Sequence, residues 1–325
     1  MAGRFLHRIL FGVSVAAFAG AASQAYAQKS ADAYPTQLVR IVVPVLAGSN
    51  SDTLARALAD KLGQMWPQQI IVENRPGLAG IGSVAKSPAD GHTILLNSNG
   101  HTIINNISAN LPFDPIKDFV GVTHVASMPL IVTVPPDSPA KTLKELIALA
   151  QANPGKLNYA SPGLGTTTNI ATVLFMHIAK VDMQHVPYKG TPDAQTSVMR
   201  GDTAMFFAPS AVGQDLIQSG KLRALAVSGT KRLDSLPDVP TFAEAGLPEF
   251  VYDAWFGMLA PTGTPPAVLQ KISSDIGKVL QMPDIQKRFA SQGVDTVWST
   301  PERFDAVVKA DTARFGELFS KAQKK

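Results

Sequence analysis

The chain has 325 residues, 45% hydrophobic and 17% charged, with 25 Gly, 24 Pro and no Cys. This composition excludes a disordered chain, a coiled coil and a collagen-like fibre. The lack of Cys excludes disulfides, thiol nucleophiles, iron–sulfur clusters and cysteine-based zinc sites. The formal net charge is +4, with Arg4 and Arg8 at the extreme N-terminus and no Lys/Arg-rich stretch beyond the tail Lys324-Lys325, so nucleic acid is not an expected partner.

Residues 1–27 follow the secretory pattern. Arg4, His7 and Arg8 form a basic start, Ile9 to Ala22 an apolar stretch, and Ala25-Tyr26-Ala27 a small-x-small cleavage site, so a mature chain starting at Gln28 in a bacterial periplasm is expected. No later apolar run reaches the ~18 residues of a membrane span. At roughly 150 residues per domain the rest suggests two domains.

Leu38 to Val45 is β-branched and reads as a buried strand. Gly48-Ser49-Asn50-Ser51-Asp52 turns into a helix with Leu54, Leu58, Leu62 and Met65 on one face. Gln69 to Glu73 is a second strand, Asn74 to Gly82 a glycine-rich loop, and His92 to Leu96 a third strand. A long apolar segment runs from Val120 to Val134. Thr142-Leu143-Lys144-Glu145 is a capping-box pattern opening a helix that Asn153-Pro154-Gly155 ends.

Leu157 to Ala160 is a short strand. It leads through Ser161-Pro162-Gly163-Leu164-Gly165-Thr166-Thr167-Thr168 into a helix with Ile170, Val173, Leu174 and Ile178 inside. Gln184–Val186, Met205–Phe207, Leu222–Val227 and Asp253–Leu259 read as strands, and helices start near Pro265, Pro283 and Pro301. The β-α alternation predicts parallel sheets with crossover helices. The strand–loop–helix units at 38–62 and 157–178 share one layout and suggest equivalent elements of two lobes.

The residues offer little catalytic chemistry. There is no HExxH, GxSxG or Walker A motif, and no His pair has i, i+4 spacing. Gly77-Leu78-Ala79-Gly80-Ile81-Gly82 inverts the dinucleotide fingerprint, and Gly163-Leu164-Gly165 lacks its third Gly, because position 168 is Thr. The stronger signal is a pair of small, hydroxyl-rich loops, Gly48-Ser49-Asn50-Ser51 and Gly163-Leu164-Gly165-Thr166-Thr167, each joining a strand end to a helix start. A helix N-terminus leaves N–H groups unpaired and carries partial positive charge, so it suits a carboxylate or phosphate without a lysine. Either loop alone reads better as ordinary capping. Together they favour an anion cleft.

The segment YPTQLVRIVVPVLAGSNSDTLARALADKLGQMWPQQIIVENRPGLAGIG at 34–82 resembles the N-terminal signature of the Bug-type receptors of tripartite tricarboxylate transporters. Matching motifs follow in order, among them Leu111-Pro112-Phe113-Asp114-Pro115, His185-Val186-Pro187-Tyr188-Lys189-Gly190, Leu236-Pro237-Asp238-Val239-Pro240-Thr241 and Ala260-Pro261-Thr262-Gly263-Thr264-Pro265. The resemblance covers essentially the whole mature chain. It implies an α/β, two-lobed, type II-like Venus-flytrap periplasmic binding protein with hinge strands between the lobes. Residues 28–127 plus 251–325 would form one lobe and 128–250 the other. It also implies a monomeric, non-catalytic receptor without cofactor or metal that hands a carboxylate to membrane subunits; the alternative is an exported α/β hydrolase acting on a carboxylic ester.

By position, the resemblance places ligand contacts at Leu46, Gly48, Ser49 and Asn50 in the first loop and at Ser161, Gly163, Gly165, Thr166 and Thr167 in the second. Tyr188, as a hydrogen-bond donor, and Ser98, at a strand end, join them. Val45, Ala47 and Ser49 stand where the family pattern has Phe, Pro and Gly, and Asn169 where it usually has His. Ala208 stands in a strand-end region where many members carry an Asp. An Asp there would pair with an amino group and Ala cannot, so the expected ligand is an aliphatic or aromatic di- or tricarboxylate without one. Asp52 is expected to brace its own loop rather than touch an anion.

Overall fold

The first strand, β1 (Val39–Val43), is buried except for Arg40, as its run of β-branched residues requires. The computed structural model describes residues 33–108, 110–291 and 293–322; the expected signal segment at 1–27 lies outside them. Helix α1 (Asn50–Met65) buries Leu54, Leu58 and Leu62. Met65, expected on the same face, is exposed. Trp66 is buried in its place, its indole N–H donating to Asp275 Oδ2 at 2.8 Å.

Strand β2 (Ile70–Asn74) lies parallel to β1. The glycine-rich segment after it is not a loop throughout, because helix α2 occupies Leu78–Ala85. Its glycines serve close packing: a Cβ on Gly80 would collide with the Arg75 carbonyl, and one on Gly82 would meet the Phe113 ring at 3.0 Å. Strand β3 (Thr93–Ser98) is parallel to β1 on its other side. It runs into a 3₁₀ turn (Asn99–Ile103), a single helical turn α3 (Ile104–Ile107) and then β4 (Phe119–Met128).

After Pro129 the chain leaves the first sheet for β5 (Leu130–Val134), in a second sheet, and α4 (Leu143–Ala152). The Thr142 hydroxyl accepts the Glu145 N–H at 3.2 Å, but the Glu145 carboxylate takes the Lys141 N–H rather than that of Thr142. The capping box is therefore only half formed. There follow β6 (Asn158–Ser161), α5 (Thr167–Ala179), β7 (Gln184–Pro187), α6 (Thr191–Met199), β8 (Phe206–Pro209), α7 (Ser210–Gln218) and β9 (Arg223–Val227). The chain then returns through β10 (Ala254–Pro261), α8 (Pro266–Leu280), α9 (Pro283–Ala290), β11 (Asp295–Thr296) and α10 (Pro301–Ala322). Helix α8 starts on Pro266, with Pro265 as its cap, while α9 and α10 start on the expected prolines.

The result is a two-lobed α/β protein. The first lobe is built on a six-stranded sheet of order β11-β4-β10-β3-β1-β2. The second has β8-β5-β9 and the parallel pair β6-β7, joined by a bridge between Tyr159 and Met205. The two expected equivalent units are parallel βαβ units, β1-α1-β2 and β6-α5-β7. The prediction of parallel sheets fails elsewhere. β10 is antiparallel to both β3 and β4, and β5 is antiparallel to β8 and β9. A chain that leaves one lobe and returns to it reverses direction, and local β-α alternation does not register that reversal.

Candidate functional site

Two strand ends lie side by side on the first lobe. The β1–β3 register pairs Val42 with Leu95, which brings the loop after Val43 level with Asn97–Ser98. The second lobe meets this edge through Gly165, whose carbonyl oxygen lies only 2.5 Å from where a Cβ on Gly100 would sit. The 163–167 loop therefore lies against the 98–100 turn where the two lobes meet, and the 44–52 loop stands beside that turn on the same sheet edge.

In the first loop, Gly48 has φ +83°, which favours glycine. Its N–H is turned inward to Asp52 Oδ2 at 2.8 Å. Ser49 caps α1 by accepting the Asp52 N–H, and the first intrahelical bond runs from Thr53 N–H to the Ser49 carbonyl. The N–H groups of Asn50 and Ser51 thus belong to the turn that the helix itself leaves open. The Asn50 amide donates to Met128 Sδ at 3.4 Å, tying the loop to the end of β4. Leu46 stands 73% exposed at the loop tip.

Asp52 acts within its loop, as expected. It accepts from Gly48, from Asn74 Nδ2 at 2.9 Å and from Arg56 Nε at 3.1 Å. Burial works to raise its pKa, but these hydrogen bonds outweigh it and hold the carboxyl below the usual carboxylate value.

In the second loop, Gly163 and Gly165 have φ +132° and +77°. The Gly163 N–H goes to Ser161 Oγ at 3.1 Å and that of Gly165 to Asn169 Oδ1 at 3.3 Å. Thr166 caps α5 by accepting the Asn169 N–H, and the first intrahelical bond runs from Ile170 N–H to Thr166. Thr167 and Thr168 hold the N–H groups of the open turn. In both loops the glycines shape the chain, and the donors the helices leave free come two and three residues after Gly48 and Gly165. Asn169 also donates to the Tyr159 hydroxyl at 3.2 Å, so the residue in place of the usual His pins the loop.

Ser161 is fully buried, and its Oγ lies 2.6 Å from His185 Nε2. Burial lowers the His185 pKa, and its ring stacks on Tyr159 at 4.9 Å. The Ser98 N–H bonds to the Asn97 side chain at 2.9 Å. Tyr188 is half-buried at the end of β7, its N–H on the Ser161 carbonyl and its ring against the cluster holding Ala160 and Ala208. Ala208 is fully buried, as are Phe206 and Phe207, and its methyl lies 3.1 Å from where a Cβ on Gly213 would be. Of the expected contacts, Ala208 and Ser161 are therefore fully buried, Ala208 within an apolar cluster and Ser161 against His185.

Three residues near these loops were not named as ligand contacts from the sequence. Leu164, 65% exposed, is the counterpart of Leu46 on the second loop, and its place between two glycines was the available signal. Asn99 and Tyr252 are buried and hydrogen-bonded to each other at 2.7 Å across 153 positions of sequence, a separation for which local pattern gives no sign. A cavity of about 460 Å³, lined in part by Tyr252, lies among His124, Asp253, Trp298 and Asp311. There burial pushes the Asp311 carboxyl up to about 6, even though Trp255 donates to it at 2.7 Å.

The family described as "Tripartite tricarboxylate transporter family receptor" matches residues 54–323. A relative named as the UPF0065 protein in the tcbD-tcbE intergenic region of Pseudomonas sp. strain P51 is 36% identical, over 96% of this chain and 93% of its own. Protein BugT of Bordetella pertussis is 33% identical over 88% of this chain and 89% of its own. Among solved structures, R. palustris Rpa4515 with adipate superposes with a TM-score of 0.74 at 30% identity, covering 88% of this chain and 97% of that one. MatC from Rhodopseudomonas palustris with bound malate gives 0.73 at 28% identity, covering 88% and 100%. Fold, loop layout and these matches agree: the chain belongs to the tripartite tricarboxylate transporter receptor family of periplasmic binding proteins.

Proposed function

We propose that this protein is a non-catalytic periplasmic receptor, exported by a cleaved signal segment at residues 1–27, that closes its lobes on a carboxylate lacking an amino group and passes it to transporter membrane subunits. What supports this reading is a pair of side-chain-capped helix N-termini, one at the start of α1 and one at the start of α5, each following a strand end. Their open N–H groups, at Asn50, Ser51, Thr167 and Thr168, suit an anion. A charge-assisted hydrogen bond contributes roughly 1.5–3 kcal/mol, and micromolar binding needs about −8 kcal/mol. Several such donors plus closure reach that figure without an arginine clamp.

The ligand class follows from two further points. The one carboxylate in the two loops, Asp52, is engaged by Gly48, Asn74 and Arg56, so an ammonium group would meet no free counter-charge there. Leu46 and Leu164 stand exposed at the loop tips, and covering each with a ligand's hydrocarbon contributes up to about 1.5–3 kcal/mol. An aliphatic or aromatic diacid fits both. The adipate and malate held by the two structural relatives support the class.

Calorimetry with adipate, malate, aspartate and glutamate tests it. Adipate is expected to bind well above either amino acid. The opposite order removes the ligand class, and no response to any mono-, di- or tricarboxylate removes the receptor reading.

The hydrolase reading has one observation in its favour, the 2.6 Å approach of Ser161 Oγ to His185 Nε2. Against it, Ser161 has no exposed surface and its Oγ already takes the Gly163 N–H. Turnover of p-nitrophenyl acetate that disappears in Ser161→Ala would favour hydrolysis.

A further inference from the structure

We propose that Tyr252 is a positioning residue that latches the two lobes together, through one hydroxyl bonded to the 3₁₀ turn of the first lobe and to the first turn of α5 in the second. Tyr252 lies on the returning segment just before β10, buried between the rings of Phe250 and Phe315 at 6.4 and 6.0 Å. Its hydroxyl donates to the Thr167 carbonyl at 2.6 Å and accepts from Asn99 Nδ2 at 2.7 Å.

The direction of each bond is forced. A carbonyl can only accept, so the single phenolic proton goes to Thr167 and the Asn99 amide must supply the other bond. Burial holds the Tyr252 pKa well above its ordinary value, so the proton is present at any ordinary pH. The same Asn99 amide nitrogen also donates to the Asp253 carbonyl at 3.3 Å. Two acceptors on one side fix the amide orientation and leave Asn99 Oδ1 buried without a partner. An orphaned buried acceptor is costly, and this one follows from committing the amide to the crossing segment.

The latch joins three parts of the molecule that move relative to one another when a two-lobed receptor opens. Asn99 follows Ser98 at the cleft edge of the first lobe, Tyr252 rides on the crossing segment, and Thr167 begins the helix whose open turn faces the cleft. Bonds of 2.6 and 2.7 Å through one oxygen do not survive a separation of several ångströms. The hydroxyl therefore favours the apposed lobes and holds the α5 turn in register with the 98–100 turn before any ligand arrives. The expected effect on affinity rests on the receptor reading given above; the effect on lobe separation does not.

The test uses the absence of Cys. Gln64→Cys on α1 and Lys144→Cys on α4, both exposed, carry a fluorophore pair for energy transfer across the lobes. Without ligand, Tyr252→Phe is expected to give a longer or broader distance distribution than the parent protein, and about tenfold weaker adipate binding. Superimposable distributions overturn the latch, even with a lowered melting temperature, because a hydroxyl that only stabilised its surroundings would lower the melting temperature without moving the lobes. Asn99→Ala cuts one arm only and is expected to give an intermediate shift. It decides the matter if Tyr252→Phe does not fold. If neither the parent protein nor the Tyr252→Phe variant binds adipate, the distance comparison still stands or falls alone.

Discussion

Replacing Asp52 with alanine removes the brace of the first cleft loop. The carboxylate accepts from Gly48 N–H at 2.8 Å and from Asn74 Nδ2 at 2.9 Å, each charge-assisted bond contributing about 1.5–3 kcal/mol. The Arg56 pair is half-exposed on the arginine side and adds at most about 0.5–1 kcal/mol. Water reaches the exposed Gly48 once the carboxylate is gone, so the lower end applies and the net loss is about 3 kcal/mol. With an unfolding entropy near 2.1 cal/mol/K per residue, a chain of this size loses about 5 °C of melting temperature.

Differential scanning calorimetry at pH 7 measures this directly, and adipate titration of the same variant reports the loosened loop as weaker binding. Acid supplies an internal check. The folded pKa of Asp52 lies below its ordinary 3.8, so its stabilisation is full above that value and is lost as the pH falls through the folded pKa. The gap between Asp52→Ala and the parent protein should close over that range. A melting difference under about 1 °C at neutral pH, where about 3 kcal/mol requires several degrees, would refute the bracing argument.

Gly165→Ala places a methyl 2.7 Å from Ile107 Cδ1 on a backbone at φ +77°. The expected cost is about 1–3 kcal/mol, read as a lower melting temperature together with weaker adipate binding. Gly257→Ala drives a methyl into the Phe304 ring, and little soluble folded protein is expected on expression. His101 is fully buried, and burial lowers its pKa to about 4, although Nε2 donates to the Pro115 carbonyl at 2.6 Å. A base depressed on folding loses stability as the pH falls from about 6.5 towards the folded value. Stability measured from pH 7 to pH 4 should therefore fall less steeply in His101→Gln, and parallel curves would contradict the assignment.

The strand–helix order was legible because β1 is a β-branched run and Leu54, Leu58 and Leu62 keep helical spacing. The two cleft loops were legible for a local reason too, since capping residues and glycines lie within a few positions of the turns they shape. What was hidden depends on contact at long range. Gly80 and Gly82 look like loop residues until the Arg75 carbonyl and the Phe113 ring are brought against them. The glycines of the cleft loops looked like donors until Asp52, Ser161 and Asn169 took up their N–H groups. Asn99 and Tyr252 meet only because the chain crosses between lobes and comes back.

That return path also governs when the protein can become itself. β10 is inserted between β3 and β4, with Met258 opposite Leu96 on one side and Thr123 on the other. Until the ribosome has finished the whole second lobe, the central sheet lacks its middle strand and two edges wait unpaired. Pairing so distant in sequence is slow to form. A polypeptide built this way completes its central sheet only after β10 at Ala254–Pro261 has been made.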